Sequence, residues 1–125
     1  MVTAFNGLHI IVQEGGIAIL SPEGMKEIDV LIAYYLENAS ILRTIMEELG
    51  YVVHKGVDAP YIFVEIPEGK KSWDVFSEIL ESAQVVNIPG AGFGPGGEGF
   101  LRLSAFAPRD GILEACEWLK KTMVK

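Results

Sequence analysis

The sequence has a single cysteine, Cys116, in 125 residues, so an internal disulfide framework is excluded and the expected compartment is a reducing cytoplasm. Basic residues are also scarce: ten Lys and Arg stand against seventeen Asp and Glu, a net charge of −7. That balance argues against a nucleic-acid surface, which needs clustered cations, and the longest basic runs are the pairs Lys70-Lys71 and Lys120-Lys121. Met1 to Gly7 has neither the basic region nor the apolar run of a signal peptide. The apolar stretch Leu8 to Leu20 is interrupted by Gln13-Glu14-Gly15-Gly16 and falls short of the about 20 residues that span a bilayer. The expectation is a soluble protein with neither nucleic acid nor membrane as partner.

Histidine is scarce too, with two in the sequence. His9 and His54 lie far apart with no ligand-spaced acid or thiol, so a metal site is not expected. Ser104 has no histidine near it in sequence, and no Ser or Cys stands in a nucleophile setting. Glu65 and Glu98 read as lone, solvated carboxylates. Asn38-Ala39-Ser40 matches a glycosylation acceptor but falls inside a helical pattern, where a chance match is the simpler reading.

What is present is hydrophobic patterning: half of the residues are apolar, enough for one domain with a core. Leu8 to Leu20 permits a strand by its isoleucines and a helix by its spacing. Ser21-Pro22-Glu23 is a helix start, with a capping hydroxyl, proline at the first position and an acid at the positive end of the dipole. Apolar residues then recur at three- and four-residue steps from Met25 through Leu31, Ala39, Leu42 and Met46 to Gly50, predicting an amphipathic helix of about 27 residues, roughly 40 Å long. Tyr51–His54 and Tyr61–Ile66 read as strands. Ser72 is expected to cap a helix with Val75, Phe76, Ile79 and Leu80 inward. Gln84–Asn87 and Phe100–Ala105 are further strands, and a last helix from Pro108 carries Ile112, Leu113, Cys116 and Leu119 to about Met123. The order predicts an α+β fold: a two-layer sandwich with helices packed on one small sheet, plus a long N-terminal helix.

The densest signal is Val85 to Phe106. Six glycines between Gly90 and Gly99 precede an alternating run in which Leu101, Leu103 and Ala105 share one face and Phe100, Arg102 and Ser104 the other. Two readings of Arg102 stay open on residue chemistry: a guanidinium set to bind a carboxylate at two points, or an edge-strand arginine in water. Gly92-x-Gly94-x-x-Gly97 fits the dinucleotide pattern as a string, but a strand follows where that site needs a helix. The glycines instead suggest a close backbone approach to another segment or to a ligand.

The string Pro89-Gly90-x-Gly92-Phe93-Gly94-Pro95-x-Gly97-Glu98-Gly99-Phe100-x-Arg102-x-Ser104-Ala105-Phe106 resembles the C-terminal signature of pyridoxal-phosphate-dependent aminotransferases of fold type I, in particular their LL-diaminopimelate branch. Phe5-Asn6-Gly7 with Gln13, Ala59-Pro60-Tyr61 and Ser72-Trp73 fall in the same order. The similarity runs from Thr3 to Trp118 and corresponds to the last third of such an enzyme.

The resemblance implies several things about this chain. Residues 1–20 would be a helical segment leaving a large domain, and 21–125 the C-terminal small domain. Arg102 would grip the substrate α-carboxylate, and Asn6 would reach across a homodimer to substrate and cofactor phosphate. The cofactor of the intact enzyme would be pyridoxal phosphate, held by a large domain that also bears the Schiff-base lysine. None of the seven lysines here takes that role, so the isolated chain is expected to be inactive and to bind no cofactor alone. His9-Ile10 and Asn87-Ile88 depart from the usual residues at the flanks, which leaves the exact amino-acid substrate open. The alternative is a non-catalytic, free-standing α+β module for oligomerisation or binding.

Overall fold

A computed structural model describes residues 7–123. Its elements are α1 (Ile10–Ile19), α2 (Pro22–Glu48), β1 (Val53–Lys55), β2 (Tyr61–Glu65), α3 (Ser72–Ala83), β3 (Ile88–Pro89), β4 (Phe100–Ser104) and α4 (Arg109–Thr122). Two short 3-10 turns, Gly90–Phe93 and Pro95–Gly97, bridge β3 and β4. The chain sorts into two compact units, Met1–Ala33 and Tyr34–Lys125, with the division inside α2.

In the first unit, the ambiguous stretch is helical. The His9 Nδ1 accepts from the Ile11 amide at 3.3 Å and opens α1, although none of its residues is buried. Ser21 caps α2 as its sequence signal predicts, its hydroxyl accepting from the Gly24 amide at 3.0 Å. Gly24 is required for a second reason: a Cβ there would stand 2.4 Å from the Ala18 carbonyl oxygen and 2.6 Å from that of Ile19.

The second unit is built on an antiparallel sheet of order β1-β2-β4-β3. Alternation holds along both central strands: Ile62 and Val64 of β2 and Leu101 and Leu103 of β4 are buried, and their neighbours point to the opposite face. Onto the buried face pack Ala39, Leu42 and Met46 of α2, Val75 and Ile79 of α3, and Ile112, Cys116 and Leu119 of α4. These helices and the sheet make the two-layer α+β sandwich. Gly50, at φ +82°, ends the long helix in the left-handed region that glycine tolerates. Burial pushes the Cys116 thiol above its ordinary value, as expected of a cysteine that serves as core packing.

Some periodic positions are exposed. Leu80 and Leu113 face solvent, and Ala83 and Ser72 take the inward places on α3. The arc of each helix covered by a four-stranded sheet is narrower than its apolar stripe. The expectation that Ser72 caps α3 is also corrected: Ser72 is the helix's first residue, Lys71 holds the cap position, and no side chain of Lys71 serves. Asn38, read only as a chance glycosylation match, is completely buried in α2. Among the described residues no helix is long and apolar enough to cross a membrane, and no cluster of three His, Cys, Asp or Glu could hold a metal ion.

Candidate functional site

β4 is an interior strand, flanked by β2 and β3, so Arg102 is not an edge residue. Register places His54, Phe63, Arg102 and Ile88 in one cross-strand row on the face opposite the core. The Arg102 guanidinium carbon lies 4.6 Å from the centre of the Tyr61 ring and 4.7 Å from that of Phe93, which comes from the glycine-rich bend. Ring faces attract a cation but cannot accept its N–H groups in plane. The Arg102 Nε is buried with no hydrogen-bond acceptor among the described residues, and no carboxylate there pairs with this side chain. A buried donor costs about 1–3 kcal/mol unless water or a ligand supplies the acceptor that the protein does not.

Phe93 is held where it is by the architecture of the bend. Gly90 and Gly97 meet backbone to backbone, and a Cβ on either would stand 2.0 Å from the carbonyl oxygen of the other. The close approach suggested by the glycine content thus occurs between two segments of the bend itself. Ser72, completely buried, ties the bend to α3: its hydroxyl accepts from the Ala91 amide at 3.3 Å and donates to Glu98 Oε2 at 3.4 Å. The Ser72 amide in turn donates to Glu98 Oε1 at 2.7 Å. Glu98 is therefore not a lone solvated acid. It supplies, from 26 residues away, the acceptor that the N-terminus of α3 lacks locally.

The Ser72 amide holds the Glu98 carboxyl below the ordinary glutamate range, with the Gly99 amide, the Ser72 hydroxyl and Lys71 adding to the effect. A depressed carboxyl stabilises the fold above its unfolded-state pKa and stops doing so as pH falls through the folded value. Wild type is therefore expected to melt above Glu98→Gln at pH 7. The difference should shrink to nothing on acidification below the glutamate range, as thermal melts at several pH values would record.

Glu65 also has a partner, His54, at 2.8 Å from Nε2 to Oε1. Both side chains are about half exposed, at 48% and 44%, so this pair is a solvent-screened contact with little energetic weight. Beside the row, Tyr61 and Phe63 line a groove of about 470 Å³ that Lys55, Val57 and Asp58 also border. Lys55 pairs in register with Ile62 of the core face, and no lysine shares the row with Arg102. Asn6 lies outside the described residues.

The donors on this face are the Arg102 guanidinium among aromatic rings, the Tyr61 hydroxyl, and the His54 imidazole that meets Glu65. The guanidinium fits a planar acid group presented edge-on. The set does not fit pyridoxal phosphate, which needs a lysine amine and several donors around its phosphate. Sequence reasoning found Arg102 and the bend, but it missed Tyr61 and Ser72 as their supports. Tyr61 follows Pro60 on a strand that alternates as β4 does, and that alternation was the available signal.

No family model matches the chain. It is 50% identical over 119 residues, 95% of its length, to a protein of Oryza sativa subsp. japonica named probable LL-diaminopimelate aminotransferase, chloroplastic, and 50% identical over the same length to LL-diaminopimelate aminotransferase, chloroplastic, of Arabidopsis thaliana. The chain spans about a quarter of those relatives, 25% and 26%. Among solved structures, L,L-diaminopimelate aminotransferase from Chlamydomonas reinhardtii aligns with TM-score 0.93 and 55% identity, over 96% of this chain and 29% of that one. An aromatic aminotransferase from Pyrococcus horikoshii aligns with TM-score 0.78 and 26% identity, over 86% of this chain and 30% of that one.

Proposed function

We propose that this chain, which belongs to the fold-type-I pyridoxal-phosphate-dependent aminotransferases as a C-terminal small domain similar to that of LL-diaminopimelate aminotransferase, clamps the α-carboxylate of an amino-acid substrate through Arg102. The observation that carries this reading is the buried Arg102 Nε with no acceptor, in a guanidinium set against two ring faces. A carboxylate aligned with Nε and a terminal nitrogen would satisfy both donors at once, which a point charge could not do. Tyr61 and Phe93 restrict the guanidinium's orientation before substrate arrives, so less rotamer freedom is lost on binding.

In the working enzyme the amino group would pass between an amino acid and a 2-oxo acid, in lysine and diaminopimelate biosynthesis. Pyridoxal phosphate, held by a large domain, would supply that chemistry, and Asn6 is assigned to the substrate and phosphate side of a partner subunit in a homodimer. The 125 residues alone are expected to show no turnover, because none of their seven lysines lies in a motif suited to the Schiff base, a role that falls to the large domain. The reading includes a cytoplasmic location, supported by the buried, unpaired Cys116.

Two measurements test it. Titrating the isotopically labelled chain with LL-diaminopimelate should perturb the Arg102 Nε–H resonance ahead of those of Arg43 and Arg109. Incubating the chain with pyridoxal phosphate and reducing the mixture should label no single lysine. Stoichiometric reduction onto one lysine would contradict the expected inactivity, and an unmoved Arg102 resonance would contradict the clamp.

The second reading, a free-standing oligomerisation module, draws on one observation in the first unit: Ile11, Leu20 and Val30 are more than 70% exposed. Sizing at several concentrations separates the two. Self-association together with an Arg102 resonance indifferent to amino acids would favour the module.

A further inference from the structure

Asn38 is the one completely buried polar side chain on α2 among the described residues, and it sits mid-helix, where asparagine is a poor helix former. Its Nδ2 donates to the carbonyls of Ala105, at 3.3 Å, and Ala107, at 2.9 Å. Its Oδ1 accepts from Arg109 Nε in a short contact. Arg109 is fixed independently: its amide donates to the Tyr34 hydroxyl at 2.6 Å and its Nη2 to Glu37 Oε2 at 2.6 Å. This last bond holds the Glu37 carboxyl below its ordinary range. All four functional groups converge on the connection between β4 and α4.

The two carbonyls that Asn38 holds flank Phe106. That ring meets Tyr35 edge-on at 4.8 Å on one side and Tyr61 at 5.3 Å on the other. Tyr61 in turn presents its face to the Arg102 guanidinium. We infer that Asn38 is a positioning residue for Arg102, acting through the backbone on either side of Phe106 and then through the Phe106 and Tyr61 rings. The inference rests on the reading of Arg102 as the carboxylate clamp.

The physical case is that a helix position needing only stability would carry an apolar residue here. Asn38 makes bonds that no apolar side chain could, and both donor bonds end on the residues that aim one ring. Without them the Ala107 carbonyl loses its side-chain donor and the Ala105 carbonyl keeps only the Ala107 amide, at 2.9 Å, so the turn reorganises to recover the missing bonds from water. Phe106, which is half exposed, moves with it. Tyr61 then loses the neighbour that fixes its angle over the guanidinium.

The test follows the Arg102 Nε–H resonance, assigned by its loss in Arg102→Lys, in the ligand-free chain and during titration with glutarate. Phe106→Leu keeps the backbone carbonyls and the Asn38 bonds, and at an exposed site it leaves the fold intact. It should shift the Arg102 resonance, leave that of Arg43 in place, and raise the glutarate half-saturation about two- to tenfold. Phe106→Tyr should restore both. Asn38→Asp keeps the acceptor for Arg109 and removes both donors, and should move the Arg102 resonance in the same way. If Asn38→Asp does not fold, the Phe106 pair decides. A folded Phe106→Leu or Asn38→Asp whose Arg102 resonance coincides with wild type overturns the inference. Should glutarate leave wild-type Arg102 unperturbed, the clamp itself fails, while the ligand-free comparison still reports on the positioning.

Discussion

Arg102→Leu is expected to abolish carboxylate binding while leaving the melting temperature nearly unchanged. The two effects separate because the interactions concerned differ in kind. In the free chain the guanidinium gains about 0.5–2 kcal/mol from the faces of Tyr61 and Phe93. Against this stands about 1–3 kcal/mol for a buried Nε without an acceptor. A leucine at this position forfeits the first and removes the second, so the net change in stability lies near zero. The carboxylate complex has no such cancellation. Charge-assisted hydrogen bonds contribute about 1.5–3 kcal/mol, so Arg102→Lys, which keeps the charge but not the fork, should weaken binding about tenfold, and Arg102→Leu about a hundredfold or more. Calorimetric melts and resonance titrations on the same three chains make the comparison. A cooperative loss of stability in Arg102→Leu, with binding retained, would assign this residue to the fold instead.

That outcome bears on how much of the site could be read from one dimension. Arg102 opposite Leu101 and Leu103 follows from period-two alternation, a local rule that survives into the folded sheet. The 27-residue α2 follows just as directly from Ser21, Pro22 and Gly50, since cap, first turn and stop are each set by neighbouring residues. Leu8 to Leu20 was undecidable by periodicity, and His9 decides it by capping α1. Contacts set by register and loop path are a different matter. Glu98 reaches the first amide of α3 across 26 residues, and Asn38 reaches Ala105 across 67, with nothing in either local pattern to signal the partner. His54 meets Glu65 only because β1 and β2 pair in one register out of several that their short lengths would permit. Local chemistry thus announced the cation and the bend. The groups that aim them are distributed over α2, α3 and the β4–α4 connection.

Alanine substitution along the glycine-rich bend should divide its glycines into three classes, and the division tests whether the bend is a packed device or a flexible spacer. At Gly90 a Cβ would stand 2.0 Å from the Gly97 carbonyl oxygen and 2.7 Å from that of Phe100; at Gly97 it would stand 2.0 Å from the Gly90 carbonyl oxygen. Every obstructing atom is backbone, so relief requires the two 3-10 turns to separate, and Gly90→Ala and Gly97→Ala should each cost about 3 kcal/mol or more. Gly94 and Gly99 have open space around a Cβ but adopt φ of +109° and +90°, so alanine there should cost about 1–3 kcal/mol through backbone strain alone. Gly92 and Gly96 have neither obstacle, and alanine should change stability by less than about 1 kcal/mol, in the stabilising direction if the loss of unfolded-chain entropy dominates. Urea midpoints for the six variants would read the series. Binding should follow the same order, because separating Gly90 from Gly97 also withdraws Phe93 from the Arg102 guanidinium, whereas alanine at Gly92 leaves that ring seated. A bend that served only to span β3 and β4 would accept all six substitutions at similar cost. Equal midpoints for Gly90→Ala and Gly92→Ala would therefore weaken the physical basis for a preorganised guanidinium, since Phe93 would then be held only by its edge-on contact with the Phe63 ring at 5.9 Å.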